Sequence, residues 1–228
     1  MSQRTPVAVV TGASRGLGAA LTRGLVDRGW LVVATARRPW TAPTGAVTVI
    51  GDVTDPSHRA RLARVAADVG GAGLLVNNAS TLGASPLPTL ADVPVDVLDD
   101  VLFTNVVAPL ALTQVLLPQL LSASGRVLNI SSDAAVEAYE TWGAYGASKA
   151  ALDHASRVLA VEQPTLRVFA VDPGDMRTQL HQDAYPGEDI SDRPDPETVV
   201  PALLRLVEAD LPSGRYRATA LALEAVSA

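Results

Sequence analysis

The sequence of 228 residues contains no cysteine and only three histidines. A chain without cysteine has no disulfide, no thiolate nucleophile and no cysteine-based zinc site. No two of the histidines, His58, His154 and His181, stand at metal-ligand spacing, so we expect no metal site. The absence of disulfides also suits a reducing compartment such as the cytoplasm.

Basic runs and long apolar runs are missing as well. With a formal net charge of -6 and no Lys/Arg-rich segment, the chain is not expected to bind nucleic acid or an anionic membrane. No uninterrupted apolar run reaches the roughly 18 to 20 residues of a membrane helix, and residues 1–6 lack the order of a signal peptide. We therefore expect a soluble cytoplasmic protein with small-molecule or protein partners.

The residues that are present suffice for a large core, since 48% are hydrophobic and 18% are charged. Short β-branched apolar runs alternate with longer Ala/Leu/Arg-rich segments along residues 1–228, which we expect to form a single domain. Continuous apolar strands that alternate with helices indicate a parallel sheet covered on both faces. The sequence therefore predicts an α/β fold with a doubly wound parallel sheet of the Rossmann type.

The elements of this fold can be placed along the chain. The predicted strands run from Val7 to Val10, Leu31 to Thr35, Val47 to Ile50, Leu74 to Val76, Arg126 to Ile130 and Arg167 to Val171. The predicted helices run from Gly18 to Arg28, Pro56 to Val69, Val97 to Ser122, Gly143 to Glu162 and Pro196 to Ala209. Proline lacks the N–H that a helix interior needs, so Pro109 and Pro118 predict a kink, a start or a stop in the third helix.

A glycine-rich turn, Thr11-Gly-Ala-Ser-Arg-Gly-Leu-Gly18, joins the first strand to the first helix. This context is typical of a phosphate-binding turn. Gly12 permits a tight exit from the strand, whereas Gly16 and Gly18 let a pyrophosphate approach the backbone at the positive end of the helix dipole. The spacing departs from G-x-G-x-x-G, and a glycine string alone is equally compatible with an ordinary turn.

Three residues further along combine into candidate catalytic chemistry. Tyr145 and Lys149 lie four residues apart on a predicted helix and so share one face, while Ser132 closes the fifth predicted strand. The ammonium of Lys149 is expected to lower the pKa of the Tyr145 phenol and so to suit the phenol to acid–base catalysis. Ser132 supplies a preplaced hydrogen-bond donor. Each residue alone has an ordinary structural explanation, but their joint spacing favours catalysis.

The motifs in this order resemble those of the short-chain dehydrogenase/reductase family. Its cofactor turn, T-G-x-x-x-G-x-G, is matched in full by residues 11–18, and its Y-x-x-x-K motif with a serine 13 positions before the tyrosine is matched by Ser132, Tyr145 and Lys149. The resemblance spans roughly residues 5 to 178. It is looser toward the end, where Ser213-Gly214-Arg215 leads into a predicted edge strand and the tail lacks the closing glycines common in the family.

The resemblance implies further roles for single residues. Lys149 also binds the nicotinamide ribose, and Asn105 is the helix asparagine thought to hold a water that links Lys149 to solvent. Asp52 accepts a hydrogen bond from the adenine amino group, although a carboxylate there could equally cap the helix that starts near Pro56. The segment 76–80, Val-Asn-Asn-Ala-Ser, is similar to the N-N-A-G turn of the family, with Ser80 in place of the glycine.

The resemblance also implies a full set of cofactor contacts. Pro173, Gly174 and Thr178 match P-G-x-x-x-T and are expected at the nicotinamide end. The residues expected to bind the cofactor are Thr11, Gly12, Ser14, Arg15, Gly16, Leu17, Gly18, Arg37, Arg38, Asp52, Val53, Asn78, Ala79, Tyr145, Lys149, Pro173, Gly174 and Thr178.

The cofactor is predicted to be NADP(H). Folds that select NAD place an acidic residue after the second strand to bind the ribose 2′-hydroxyl, whereas a basic residue accommodates a 2′-phosphate. Here the second strand is followed by Arg37 and Arg38, with no acid, and Arg15 in the glycine turn adds a further cation. We therefore expect NADPH to be preferred over NADH.

The segment 179–197 is polar and punctuated by prolines, and loops of this length commonly act as lids or binding loops. We interpret it as a substrate lid, with His181 as a loop histidine rather than a catalyst. Tyr185 in the lid and Trp142 beside the candidate active site are compatible with an apolar or aromatic ketone.

As a whole, the resemblance implies an NADPH-dependent reductase that acts on a small-molecule carbonyl substrate. It also implies a homo-oligomer, a dimer or tetramer, that pairs the helices at 97–122 and 143–162. Two alternatives stay open at this point. One is a sensor or scaffold that binds NADP without turnover, and the other is an isomerase, epimerase or dehydratase on the same scaffold.

Overall fold

The computed structural model describes residues 5–221 of the chain. Most of the polar start and the C-terminal tail considered above therefore lie outside the described residues. The strands are β1 Val7–Thr11, β2 Leu31–Ala36, β3 Ala46–Ile50, β4 Ala72–Asn77, β5 Arg126–Ile130, β6 Arg167–Asp172 and β7 Gly214–Arg217. The helices are α1 Gly16–Asp27, α2 Pro56–Asp68, α3 Val95–Leu102, α4 Ala108–Ser122, α5 Gly143–Glu162, α6 Gln179–Ala184 and α7 Val200–Glu208.

These strands form one parallel sheet in the order β3-β2-β1-β4-β5-β6-β7. Every residue of β1 is buried, because helices cover both faces of the sheet and leave no polar side for the strand to present. Leu21, Leu25 and Phe169 belong to one hydrophobic layer, and Leu62 and Leu116 belong to the other. The predicted doubly wound α/β fold is confirmed.

The chain leaves β1 for β2 on one side and reaches β4 on the other side, so the direction of winding reverses between β1 and β4. In open parallel sheets this reversal creates a crevice at the carboxyl ends of the strands. Thr11 lies at that point, and its Oγ1 accepts hydrogen bonds from the backbone N–H groups of Asn78 (2.9 Å) and Ala79 (3.0 Å). The two strand ends that flank the crevice are thereby tied together.

The predicted helix at 97–122 differs from expectation in its detail. A π-helical turn, Phe103–Val107, lies between α3 and α4. Pro109 is the second residue of α4, directly after the π-helical turn, so it lies inside a helical segment that continues from α3. Pro118 lies inside α4 without ending it.

The same helical segment, Val95–Ser122, is long and apolar enough for a membrane span by length and composition, with a mean hydropathy of 1.7. Its Leu112, Leu116 and Leu120 side chains are nevertheless fully buried in the hydrophobic layer between helix and sheet. The apolar composition is therefore explained at these positions by packing against the core.

The predicted lid also contains more regular structure than expected. Its first six residues form α6, so the prediction of a loop is wrong there, and His181 is a buried helical residue. The physical reason is a cap, since Thr178 Oγ1 accepts a hydrogen bond from His181 N–H at 3.2 Å. The last predicted helix divides into a 3₁₀ turn, Pro196–Thr198, and α7.

Candidate active site

A cavity of about 930 Å³ lies over the carboxyl ends of the strands, at the upper end of the volumes usual for ligand sites. Most of the predicted site residues line it together. They are Gly12, Ser14, Arg15, Gly16, Leu17, Arg37, Arg38, Asp52, Val53, Asn78, Ala79, Ser132, Tyr145, Lys149, Pro173, Gly174 and Thr178. Three predicted residues, Thr11, Gly18 and Asn105, are instead buried outside this lining.

The glycines of the turn serve two different purposes. Gly12 and Gly16 have φ values of +64° and +53°, in the left-handed region that glycine adopts without strain. Gly18 has a packing role, because a Cβ there would lie 2.3 Å from the Gly12 carbonyl oxygen and 2.5 Å from Asn78 Nδ2. The lack of a side chain at Gly18 lets α1 pack closely against the turn. We had expected this glycine to let a pyrophosphate approach the backbone instead.

The N-terminus of α1 is suited to an anion. Its N-cap, Arg15, makes no side-chain capping bond, and the first turn contains no acidic residue. The first N–H groups of a helix have no intrahelical partners and carry the positive end of the dipole. Because Gly16 and Leu17 line the cavity here, this end of the cavity fits the pyrophosphate of a dinucleotide.

The far end of the cavity is lined by three arginines and one carboxylate. Arg37 and Arg38 follow β2 and are exposed, and Arg15 lines the same cavity. Asp52 is held at the wall because its Oδ1 accepts hydrogen bonds from Thr54 N–H (2.9 Å) and Oγ1 (2.8 Å). The cap of α2 is Asp55, so the alternative reading of Asp52 as that cap does not apply.

Helix α5 brings Tyr145 and Lys149 to the cavity. Lys149 Nζ lies 5.3 Å from the centre of the Tyr145 ring and donates a hydrogen bond to the Ile130 carbonyl oxygen at 2.8 Å. Gly146 lets α5 lie close to the turn that contains Ala134, because a Cβ at position 146 would lie 2.6 Å from the Ala134 carbonyl oxygen. The helix therefore packs directly on the turn that follows β5.

The electrostatics of Tyr145 differ from the sequence-based expectation. Burial raises the pKa of the phenol above its ordinary value, hydrogen bonds from Ser80 and Ser132 lower it, and the carboxylates of Asp133 and Asp172 raise it. The net direction is upward, which differs from the lowered pKa that we expected for this phenol. Burial outweighs the neighbouring groups because only 6% of the residue is exposed.

Lys149 is also strongly influenced by its surroundings. Burial lowers the pKa of its ammonium to about 8, against an opposing effect of the Asp153 carboxylate. Asp153 lies one helical turn further along α5, at the spacing that places two side chains on one face. The ammonium form is thus the main form at neutral pH and loses its proton in mildly basic solution.

The hydroxyl of Ser132 is held by its own turn. Its Oγ accepts a hydrogen bond from Ala134 N–H at 3.2 Å, which caps a short 3₁₀ turn, and donates one to Asp133 Oδ1 at 3.0 Å. Ser132 also lowers the pKa of the Tyr145 phenol, and both residues line the cavity.

Asn105 lies in the π-helical turn, a kind of turn that is frequent at functional sites. Its Oδ1 accepts hydrogen bonds from Ser80 Oγ (3.1 Å) and Thr81 N–H (2.9 Å), and its Nδ2 donates to the Thr81 carbonyl oxygen and Ser148 Oγ. All four hydrogen-bonding positions of the amide are filled by protein groups. The side chain thereby braces the turn after β4 against α5.

Two charged residues behind the site, Arg215 and Asp153, were not predicted from the sequence to belong to it. Arg215, on β7, donates hydrogen bonds to the Ser132 carbonyl oxygen and to Asp153, each at 2.8 Å. The i+4 spacing of Asp153 from Lys149 was a visible signal for one of them. Arg215 lies 62 residues from Asp153 in sequence, so nothing local indicated their contact.

One side of the cavity mouth is aromatic. The ring of Trp142 lies 5.5 Å from that of Tyr145 and 6.0 Å from that of Tyr185, and the His181 ring lies 5.1 Å from Tyr185. Helix α6 contributes Leu180 and His181 to the cavity wall. The cavity next to Tyr145 therefore has a partly apolar wall.

A parallel sheet with a glycine turn at its switch point and a buried tyrosine–lysine pair defines a dinucleotide-dependent oxidoreductase of the α/β class. The family model for short chain dehydrogenases matches residues 6–189, well over half of the chain. The protein belongs to the short-chain dehydrogenase/reductase family, as the sequence motifs predicted.

Comparison with individual proteins agrees with this assignment. An uncharacterized oxidoreductase of Saccharomyces cerevisiae, YIR035C, is 32% identical over 198 residues, which are 79% of this chain and 76% of the yeast protein. A short chain dehydrogenase of Escherichia coli CFT073 in complex with NADPH is 30% identical, with a TM-score of 0.84 over 93% of this chain and 96% of its own. A Shigella flexneri relative in complex with NADP is 28% identical, with the same TM-score over 94% and 97% of the two chains.

Proposed function

We propose that this protein is an NADPH-dependent reductase that converts the ketone or aldehyde group of a small molecule into an alcohol. The observation that carries the proposal is the buried Tyr145 phenol, whose ring centre lies 5.3 Å from Lys149 Nζ. Tyr145, Ser132 and the glycine turn line the same cavity. A proton donor and a dinucleotide site therefore share one space.

In this reaction a bound nicotinamide supplies the hydride. Tyr145 donates a proton to the carbonyl oxygen as negative charge develops there. Ser132 turns its hydroxyl from Asp133 to the same oxygen and stabilises the developing charge. Lys149 stabilises the phenolate that remains, and its buried ammonium is held in place by the Ile130 carbonyl oxygen. Asn105 positions the turn after β4 and the helix that carries Tyr145.

Preference for NADPH is supported by the charges at the adenosine end of the cavity. Arg15, Arg37 and Arg38 line it, and no acidic residue directly follows β2. Guanidinium groups bind a 2′-phosphate through charge-assisted hydrogen bonds, whereas a 2′-hydroxyl gains less from them. The two similar structures in complex with NADP or NADPH also support NADP(H) as the cofactor.

The substrate is proposed to carry an apolar or aromatic group next to its carbonyl. Trp142 and Leu180 line the cavity close to Tyr145, with Tyr185 packed behind Trp142. Such a wall favours burial of apolar substrate surface. The segment 179–197 is proposed to cover this end of the cavity as a lid.

A homo-oligomer in the cytoplasm is proposed as the working form. Apolar side chains stay exposed along the helices that were expected to pair. Val115 on α4 is 42% exposed, and Val158 and Val161 on α5 are 42% and 80% exposed. Burying them against a second copy would stabilise a symmetric dimer, and light scattering that gives a monomer at micromolar concentration would contradict this.

The decisive experiment follows NADPH consumption with a panel of ketones, aldehydes and quinones. We expect turnover of at least one aromatic ketone by the unaltered protein and its loss in Tyr145→Phe, which removes only the phenol oxygen. Tyr216→Phe is the matched control, because the Tyr216 hydroxyl donates to the Pro212 carbonyl oxygen outside the cavity. Full turnover by Tyr145→Phe would refute the proposal, and cofactor binding without any turnover would favour the sensor or scaffold.

A further inference from the structure

His181 has a buried ring nitrogen without a hydrogen-bond partner in the wall of the cavity. Its side chain is 9% exposed, and its Nε2 forms no hydrogen bond with any group of residues 5–221. Helix α6 places it beside Leu180 in the cavity lining. A buried polar atom without a partner is costly, and folded proteins rarely keep one. This nitrogen is therefore a candidate contact for a molecule bound in the cavity.

The carboxylate of Asp175 decides which kind of group suits this nitrogen. Asp175 Oδ1 lies 3.8 Å from His181 Nδ1, which is beyond hydrogen-bond distance, yet its charge favours the form with the proton on Nδ1. A neutral imidazole carries one proton, so Nε2 then presents a lone pair. The histidine is thereby suited to accept a hydrogen bond from a donor such as a hydroxyl or an ammonium group.

A carboxylate without a cation narrows this choice. Asp133 is half-buried and lines the same cavity directly after Ser132. Its oxygens accept hydrogen bonds from Ser132 Oγ (3.0 Å), Ala134 N–H (2.8 Å) and the Tyr139 hydroxyl (2.9 Å). All three donors are neutral, and no ion pair among the described residues includes Asp133. A half-buried negative charge in this situation favours a cationic ligand group over a hydroxyl.

Asp133 and His181 are each next in sequence to a member of one hydrophobic cluster. Ala134, which follows Asp133, is buried in this cluster together with Tyr145. Leu180, which precedes His181, packs against it. The carboxylate and the imidazole are therefore held in the part of the cavity that contains the proposed proton donor.

The other charges of the lining agree with a cationic group at this place. The charged residues that line the cavity around the ends of β5 and β6 are three carboxylates and one buried ammonium, namely Asp133, Asp172, Asp175 and Lys149. The arginines near Asp172 and Asp175 approach them no closer than 3.8 Å and do not belong to the lining. This end of the cavity therefore attracts a cation and repels an anion.

We infer that the substrate carries an ammonium group, which donates a hydrogen bond to His181 Nε2 and is neutralised by the carboxylates of Asp133 and Asp175. The inference rests on the proposed carbonyl reduction and names its substrate class, an amino ketone or amino aldehyde. Trp142 lines the same cavity, and the face of an indole ring also attracts a cation. The ammonium takes no part in the bond changes, since hydride and the Tyr145 proton both go to the carbonyl group.

The test is a binding measurement that needs no turnover. Three alcohols are titrated by calorimetry into the protein in the presence of NADPH, which cannot reduce an alcohol. 2-Amino-1-phenylethanol carries the ammonium group, 1-phenylpropan-1-ol carries a methyl group in its place, and mandelate carries a carboxylate. We expect the amine to bind about tenfold more tightly than the neutral alcohol and mandelate to bind most weakly.

Single substitutions assign this preference to the two side chains. Asp133→Asn removes the charge but keeps an acceptor oxygen for Ala134 N–H, and His181→Phe keeps a ring without nitrogen. Each should lower the affinity for the amine about fivefold to tenfold and leave the affinity for 1-phenylpropan-1-ol unchanged. Asp183→Asn is the matched control, because Asp183 on α6 accepts a hydrogen bond from Gln179 Nε2 at 2.8 Å and does not line the cavity.

Equal affinity for the amine and the neutral alcohol, tighter binding of mandelate or an absence of measurable amine binding would overturn the inference. An unchanged preference for the amine in both variants would overturn it as well. The proposed function is judged separately, because it fails if the carbonyl panel gives no reduction that depends on Tyr145. Reduction of neutral ketones without a preference for the amine would leave the proposed function standing and overturn only the substrate class.

Discussion

Arg215, on the last strand of the sheet, donates a hydrogen bond of 2.8 Å from Nε to Asp153 Oδ2 on the helix that carries Tyr145 and Lys149. The same guanidinium holds the carbonyl oxygen of Ser132 at 2.8 Å and lies 3.9 Å from the Asp172 carboxylate. An edge strand far along the chain is thereby connected to α5 and to the turn after β5, which carry the proposed catalytic residues. Asp153 is well buried, with 8% of its side chain exposed, so the pair has little contact with water.

We predict that Arg215→Ala lowers both stability and turnover. Removing one partner of a buried pair leaves the other charge uncompensated, at a cost of about 3 kcal/mol. Urea unfolding should report this loss, and kcat should fall because the Ser132 backbone loses its donor. Arg205→Ala on α7, whose guanidinium donates to the Leu221 carbonyl oxygen, serves as the control and should keep its kcat. Unaltered kcat in Arg215→Ala would contradict a link between β7 and the site.

The buried ammonium of Lys149 makes a prediction about pH. Burial lowers the pKa of this ammonium from 10.5 to about 8. Between these two values the lysine is protonated in the unfolded chain and neutral in the folded protein, so the free energy of unfolding rises with pH across this window. Below about pH 8 both states carry the proton, and burial of the ammonium lowers the free energy of unfolding by about 3 kcal/mol. Lys149→Met should abolish this rise in urea unfolding, whereas the same slope in both proteins would contradict a lowered pKa.

Lys149 is the only lysine in the sequence, which allows its pKa to be measured directly. Protein labelled with ¹³Cε-lysine should give one side-chain signal, whose titration midpoint is expected near pH 8. A midpoint close to the ordinary lysine value would mean that the ammonium is solvated and that the helix face carrying it is more open than described.

Gly146→Ala tests the close packing between α5 and the turn after β5. The new methyl group would lie 2.6 Å from the Ala134 carbonyl oxygen. Overpacking of this kind lowers the free energy of unfolding by about 1–3 kcal/mol. We expect the helix to shift away from Ser132 and kcat to fall about tenfold or more. Gly73→Ala is the matched control, since its methyl group would make only ordinary contacts, with Ala123 Cβ at 3.7 Å and the Val7 carbonyl oxygen at 3.8 Å. Retention of kcat in Gly146→Ala would show that the helix tolerates displacement.

Arg37→Asp tests the choice of cofactor. The substitution replaces a group suited to a 2′-phosphate with one that accepts a hydrogen bond from a 2′-hydroxyl. The ratio of kcat/KM for NADPH to that for NADH should fall about tenfold or more, which corresponds to one charge-assisted hydrogen bond. Arg64→Asp, an equal charge change at an exposed position of α2, should leave the ratio unchanged. Retained NADPH preference in Arg37→Asp would refute the assignment of this arginine.

The local signals in the sequence were sufficient for most of the fold. Continuous apolar strands such as β1 indicate burial on both faces, and the predicted bounds of β5 and α5 agree with the structure. They failed at α6, where a threonine cap stabilises a helix in a polar segment. This case depends on a single hydrogen bond, which composition and periodicity do not record.

The sequence by itself determined the family, the order of the strands and helices, and the spacing that places Tyr145 and Lys149 on one helix face, because these follow from local periodicity and contiguous motifs. Only the tertiary structure decided the direction of the Tyr145 pKa, since burial depends on which distant segments cover the phenol. It also decided the contacts of Ser80 with Asn105 and of Arg215 with Asp153, because long-range packing brings together side chains that no short-range pattern relates.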